Sequence, residues 1–374
     1  MEASVYKQIF EQFQASGSFS GIGKTGSGHI HTTWLVKTVE PNSPNYILQK
    51  VNNHVFPPVQ EMMSNIQKVT AHIRSKRPDG AGYSVLNVIP DRSGKPYYLD
   101  ASQVYWRLYE KVEPGLSYDI VPNEQVAAEA ARAFGMFIAD LEDFPAADLY
   151  AVIPDFHSVE KRFEQLEEAA VDDAAGRLAE VSEELAFARE QFGPLKEIPL
   201  QERAGTLPVR VTHNDTKLNN ILFDAEDKAS CVIDLDTVMP GLSLYDFGDL
   251  IRTACNTAEE DEADLQKVTF NRSVFKAIVY GFLQSTHQLL TEKEVALLPL
   301  GARYITYIMG IRFLADYIRG DTYYQISFPE QNLRRCRAQF QLIRHMLKHH
   351  EDCCRVVSEA FSEIKKGKTS VSDH

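Results

Sequence analysis

Several things the chain lacks narrow its function before anything it contains does. Cysteine is sparse and odd in number, with 5 in 374 residues, scattered at positions 231, 255, 336, 353 and 354 without the paired spacing of a zinc site. They read as free buried thiols, and the adjacent Cys353 and Cys354 have no basic setting that would activate them. No run of about 18 apolar residues occurs. The opening MEASVYKQIFEQF has neither the basic stretch nor the apolar core of a signal peptide, so a soluble cytosolic protein is expected. Positive charge is also in deficit: 39 Lys and Arg stand against 52 Asp and Glu, a net charge of -13. Neutralising nucleic-acid phosphates or an anionic membrane takes clustered Lys and Arg, so neither partner is expected. Much of the excess is local, because residues 155–205 carry 13 acids and 6 bases, which reads as a solvated helical face.

A helix-opening phosphate loop is missing too. Gly23, Lys24 and Thr25 look like the end of a P-loop, but Ser18 stands where its first Gly should be. The following HTTWLV is strand-like, so no helix N-terminus is available to hold phosphate. The better reading is a hairpin whose turn, Thr25-Gly26-Ser27-Gly28-His29, lies over nucleotide phosphates, with glycines permitting close backbone approach.

What is present falls into two parts. Helical spacing at 5–15 is followed by strand patterns through 19–52, where Ile30, Thr32, Trp34 and Val36 alternate. An amphipathic helix opened by prolines is expected at 57–76, and YSVLNVIPD, PYYLD and QVYWRLYEKVEP read as further strands. Hairpin, strand, helix and more strands make a nucleotide-binding lobe with an antiparallel sheet over 1–113, an α-rich lobe follows over 114–366, and the polar tail 367–374 reads as disordered. The fold class is α+β, with two lobes.

The chemistry sits in VTHNDTKLNNILFDAEDKASCVIDLD. Asp215 precedes Asn220 by 5 residues, and Asp234 follows that Asn by 14 on the strand-like VIDLD. Phosphoryl transfer from a magnesium nucleotide needs a carboxylate aimed at the acceptor hydroxyl and oxygen ligands that hold Mg²⁺ against the phosphates. Asp215 suits the first role, and Asn220 and Asp234 the second. Singly, such residues satisfy turn amides; together at this spacing they read as a small-molecule kinase. Asp234 follows Val232 and Ile233, so its carboxylate is expected at the end of a buried strand.

This segment, with IDLD and the later YDFGD, resembles the aminoglycoside phosphotransferase and choline kinase superfamily of protein-kinase-like enzymes, though it lacks the Arg of a protein-kinase catalytic loop. The resemblance runs from GSGHIHTTWLV and YILQKVNNHVFP through IDLDTVMPG to IRFLADYIRGDTYY, and over that length it resembles the branch that phosphorylates N-acetylhexosamines at the anomeric hydroxyl. It implies a kinase-like fold, ATP as co-substrate, Mg²⁺, Asp215 as base, and Asn220 and Asp234 as metal ligands. Asp236 either assists through the metal or braces the loop. Asp246 resembles the buried Asp that braces the catalytic loop.

One departure stands out, because Gln49 occupies the place of the phosphate-pairing Lys of protein kinases, with Lys50 on the opposite face. Either Gln49 meets the phosphates or the strand register is shifted. Adenine is expected along the backbone of Tyr109, Glu110, Lys111 and Val112. Sugar contacts are expected from Thr237, Arg252, Arg312 and Tyr323, with His29 and His31 as weaker candidates. The alternatives are a related kinase for another small alcohol, such as choline, an amino alcohol or methylthioribose, and a catalytically dead nucleotide-binding protein.

Overall fold

The computed structural model describes residues 3–25, 30–77 and 83–367. Gly26, Ser27, Gly28 and His29, expected over the phosphates, lie outside the described residues, as does the tail from 368. The described part forms two compact units: residues 1–117, 143–153 and 221–240, and residues 118–142, 154–220 and 241–374.

The first unit is built on a strand-rich stretch: helix α1 (Ala3–Phe10), β1 (Phe19–Lys24), β2 (Thr32–Thr38), β3 (Tyr46–Lys50), α2 (Val59–Lys76), β4 (Ser84–Val85), β5 (Val88–Ile89), β6 (Tyr98–Leu99) and β7 (Tyr105–Glu110). The antiparallel sheet runs β1-β2-β3-β7-β5, with β6 on β7. Period-two alternation turns Trp34, Val36, Tyr46, Leu48, Trp106 and Leu108 to one side, where they close over Tyr6, Ile9 and Phe10 of α1. The facing register sets Gln49 opposite Thr33 on one flank and opposite Arg107 on the other.

The second unit is helical: α3 (Glu124–Asp140), α4 (Val159–Asp172), α5 (Ser182–Leu195), α6 (Glu197–Arg203) and the short β8 (Arg210–Thr212). The chain then returns to the first unit with β9 (Ile221–Phe223) and β10 (Ala229–Val232), passes β11 (Met239–Gly241), and finishes the second with α7 (Ser243–Ala254), α8 (Arg272–Thr286), α9 (Glu292–Arg319), α10 (Gln331–Lys348) and α11 (His350–Lys365). Helix α9 is buried on nearly every side and starts with a capping box between Thr291 and Glu294. Where α7 crosses α9, glycine permits backbone contact: a Cβ on Gly248 would lie 2.4 Å from the Gly301 carbonyl oxygen. Gly248→Ala is therefore expected to destabilise the fold by about 1–3 kcal/mol through overpacking, read as a lower urea midpoint; an unchanged midpoint would show that the crossing yields freely.

The sequence-based lobe boundary at 113 needs correction, because 143–153 and 221–240 belong to the first unit. Pairing between distant segments recruits them. β10 runs parallel to β4, with Cys231 opposite Ser84 and Val232 opposite Val85. The Asn65 amide of α2 donates to the carbonyls of Tyr150 (2.8 Å) and Val238 (3.0 Å). All five cysteines are free, four buried and Cys354 half-buried, and burial pushes the Cys353 thiol up to about 12. Among the described residues, no helix is long and apolar enough to cross a membrane.

Candidate active site

In the second unit, β8 delivers a loop that is strapped down before Asp215. Asn214 takes a left-handed φ of 65°, a conformation Asn tolerates better than most residues. Asp246, in the first turn of α7 and 1% exposed, accepts the backbone N–H of His213 at 2.8 Å and of Asn214 at 2.7 Å. The Thr216 hydroxyl adds a 2.6 Å bond to the Asp246 carbonyl. Gly241 is obligatory here, since a Cβ would lie 2.3 Å from Thr212 Oγ1 and 3.0 Å from Asn214 Oδ1.

Burial pushes the Asp246 carboxyl up to about 6, against the opposing pull of His213 and the two amides. Its ionised form accepts both amides, so turnover is expected to fall as pH drops through about 6. Stability runs the other way. A carboxyl whose folded value is raised from 3.8 to about 6 contributes most stability below its unfolded value and loses that contribution as pH rises through 6. The loss of activity should therefore precede acid unfolding, which kcat and circular dichroism measured together from pH 5 to 8 would reveal. A kcat that stays flat down to pH 5 would contradict this role.

Asp215 is half-buried and held from three directions. Asn220 Nδ2 donates to the Asp215 carbonyl at 2.8 Å and to its Oδ2 at 3.1 Å. Lys217 Nζ stands 3.1 Å from the same Oδ2. Burial raises the carboxyl, but Lys217, His213 and Arg252 together bring it below the usual value, so it is ionised at neutral pH. The Asn220 NH₂ is spent on Asp215, which leaves its carbonyl oxygen as the end that can meet a cation. Arg252 corrects an expectation. Its Nε and Nη2 go to Asp249 Oδ1 and its Nη1 to Glu260, so its guanidinium acts on Asp215 through charge rather than being open to a sugar hydroxyl.

Arg312 and Tyr323, both expected at the sugar, do come together. The Arg312 guanidinium stacks on Phe156, Tyr323 and Tyr324 at 5.4, 5.8 and 5.5 Å from the ring centroids. Asp316, one turn along α9, fixes this loop by accepting the backbone N–H of Thr322, Tyr323 and Tyr324. Sequence reasoning missed His157, which ties the cluster to the loop that carries Asp215. Its Nε2 bonds to the Asn214 carbonyl at 3.2 Å, and its Nδ1 is buried without a partner. Burial first, then Arg312 and Arg162, push it down to about 3, with Asp215 opposing. No spacing rule picks out a lone His after Phe156.

In the first unit, Gln49 is fully engaged, donating to Thr33 Oγ1 at 3.0 Å and accepting from Arg107 Nε at 2.8 Å. The pairing of β3 with both neighbours is regular, and this amide is already engaged at both ends. Arg107 was also missed, although an Arg inside the buried strand YWRLYE demands a partner. That partner is Asp236, gripped by Nη1 and by Nη2 at 2.9 Å. His31 Nε2 donates to Asp236 Oδ2 at 2.5 Å, and its Nδ1 accepts the Asn52 N–H at 3.0 Å, which fixes the tautomer. Burial would raise the Asp236 carboxyl, but Arg107 and His31 hold it well below the usual range. Both its oxygens are taken, so of the two expectations for Asp236 the geometry carries the brace and not the metal ligand.

Asp234 corrects another expectation: β10 ends at Val232, and Asp234 is exposed, with a left-handed φ of 60° at the head of a 3₁₀ turn over Leu235–Thr237. Thr237 is buried in that turn, 7% exposed. Of the residues expected at adenine, Glu110 and Lys111 spend their N–H groups on the Asn87 and Asn45 carbonyls, so neither amide can donate to a base, and Tyr109 is a buried strand residue. Among the described residues no three His, Cys, Asp or Glu side chains form a metal cage. The exposed Asp234 carboxylate and the Asn220 amide carbonyl are each, taken singly, hard oxygen donors of the kind Mg²⁺ accepts.

A sequence profile described as the phosphotransferase enzyme family matches residues 22–275. Solved structures of similar fold include an aminoglycoside phosphotransferase from Alicyclobacillus acidocaldarius, 11% identical with a TM-score of 0.55, covering 96% of each chain. An amicoumacin kinase in complex with AMP-PNP, Ca²⁺ and its antibiotic is 12% identical with a TM-score of 0.57, covering 97% of this chain and 94% of that one. An ethanolamine kinase from Plasmodium vivax is 14% identical with a TM-score of 0.51, covering 85% and 81%. At these identities the likeness is one of fold: a kinase-like α+β architecture with an antiparallel N-terminal sheet and a helical C-terminal region.

Proposed function

The chain belongs to the phosphotransferase enzyme family, and from that premise we propose that it is an N-acetylhexosamine 1-kinase, moving the terminal phosphoryl group of ATP to the anomeric hydroxyl of GlcNAc or GalNAc. Asp215 accepts the hydroxyl proton as the sugar oxygen attacks phosphorus, and ADP leaves from the opposite side. The placement of Asp215, with Oδ2 held by Asn220 Nδ2 and Lys217 Nζ, both at 3.1 Å, on a loop strapped by Asp246, is the observation that carries this reading. Asn220 orients the carboxylate, while the Asp246 strap keeps the loop from drifting. Asn220 and Asp234 are the proposed ligands of Mg²⁺, which when bound neutralises charge on the transferring phosphate.

The choice of acceptor rests on Arg312. Rings at 5.4 to 5.8 Å would make a cage for a quaternary ammonium, but here the cage already holds a guanidinium. Arg162 lies close enough that Arg312 lowers its pKa, second to burial. Two cations beside the acceptor disfavour choline, ethanolamine and polycationic aminoglycosides, and favour a neutral polyol whose hydroxyls accept hydrogen bonds from a guanidinium. Arg312 and Tyr323 are the proposed sugar contacts. A coupled ADP-release screen over N-acetylhexosamines, hexoses, aminoglycosides, ethanolamine and choline tests this. Turnover confined to N-acetylhexosamines is expected, and preferential turnover of a cationic alcohol would overturn it.

A further inference from the structure

The first unit contains a charge clamp that replaces the missing strand cation. Gln49 lies on the interior strand β3, yet it is neutral and both ends of its amide are used. The positive charge stands one strand away on Arg107, 2% exposed, in direct register across β3 and β7. None of its three nitrogens is idle: Nε holds Gln49, while Nη1 and Nη2 grip Asp236. His31, just before β2, closes the other side of the same carboxylate. Asp236 belongs to the 3₁₀ turn whose first flanking residue is Asp234. Two carboxylates two residues apart thus have opposite fates, one buried and clamped, the other exposed.

We propose that Arg107, seconded by His31, is the positioning cation of the nucleotide half of the site: by clamping Asp236 it fixes the 235–237 turn and so holds Asp234 in the orientation that presents its carboxylate to a nucleotide-bound Mg²⁺. The inference rests on the phosphotransferase reading above. Its chemical content is that this half meets the phosphates through a metal ligand rather than through a strand lysine. A bidentate guanidinium fixes a carboxylate plane as an ammonium cannot, so Arg and Lys are not equivalent at this position. Gln49 contributes by fixing the rotation of Arg107 about its Nε. Asp234 is near enough for its charge to act on both Arg107 and Tyr109, as a carboxylate set by this turn should be.

The test is calorimetric titration of the full chain with ADP, in Mg²⁺ and again in EDTA, for wild type, Arg107→Lys and Arg107→Met. Wild type is expected to bind ADP more tightly with Mg²⁺ than without. Arg107→Met should lose about 10- to 100-fold of that Mg²⁺-dependent gain, the usual scale for removing a group that orients a metal ligand, with its affinity in EDTA unchanged. Arg107→Lys should fall between the two. A purely structural role would lower thermal stability while leaving the ratio of the two affinities intact, and an intact ratio in folded Arg107→Met overturns the proposal. If that variant does not fold, His31→Gln carries the same test at the other side of Asp236, and a wild-type ratio there overturns it equally. A wild-type chain whose ADP affinity ignores Mg²⁺ would instead bring down the phosphotransferase reading itself.

Discussion

Asp215→Asn is expected to lower kcat by roughly 10²- to 10⁴-fold, the range for loss of a positioned general base, equivalent to about 3–5 kcal/mol of barrier. The substitution keeps the size and shape of the side chain, so the loop held by Asp246 need not move. What it removes is the negative charge that Lys217 faces at 3.1 Å and the lone pair that takes the acceptor proton. KM for ATP should change little, and calorimetry should find ADP binding intact. A drop in kcat accompanied by loss of ADP binding would point to a damaged fold instead, and near-normal turnover would remove Asp215 from the base role.

Asp246→Ala should be nearly as damaging by a different route. It strands the N–H groups of His213 and Asn214 in a site where the carboxylate is 1% exposed, at about 1–3 kcal/mol for each unpaired donor. Against that stands relief from ionising a buried carboxyl. A shift from 3.8 to about 6 corresponds to roughly 3 kcal/mol at neutral pH. Net stability therefore falls by at most about 3 kcal/mol, and the protein should remain folded. Turnover should fare far worse, by about 10²-fold, because Asp215 is carried on the loosened loop and small displacements of a reacting group cost that much. Asp246→Asn is the informative partner: it retains one acceptor oxygen and carries no charge to desolvate. It should fold at least as stably as Asp246→Ala, keep more activity, and lose the acid limb near pH 6. Equal, wild-type kcat in both variants would show that the strap is dispensable.

The candidate segment could be singled out because its residues stand at short spacings. Asp215 and Asn220 fall within one short run, HNDTKLNN, whose polar residues are too dense for a helix core, Asp246 follows in YDFGD, and the order of helices and strands could be read from periodicity. Features built from distant pairings were not legible. Arg107 bonds to Gln49 across 58 residues and to Asp236 across 129, and no local pattern announces either. The same blindness put 221–240 in the wrong half of the chain, since only the pairing of β10 with β4 assigns it. Asp234 and Asp236 looked alike on one apparent strand, yet the strand stops at Val232 and a left-handed residue turns the first outward and the second inward. Arg252 looked available for a sugar because its i,i+3 pairing with Asp249 on α7 was overlooked, and its second partner, Glu260, lies beyond that helix where no local pattern announces it. The acceptor was the least legible of all. It rests on a whole-chain resemblance, now joined by the guanidinium that fills the aromatic cage of Tyr323, Tyr324 and Phe156.

Phosphorus NMR of the product formed from GlcNAc, ATP and Mg²⁺ by the unmodified chain tests the central claim most directly. The account predicts a new phosphomonoester whose phosphorus couples to the anomeric proton, absent when Asp215→Asn replaces the wild type. A phosphate on any other carbon, or no transfer to GlcNAc or GalNAc while another alcohol is turned over, would contradict it.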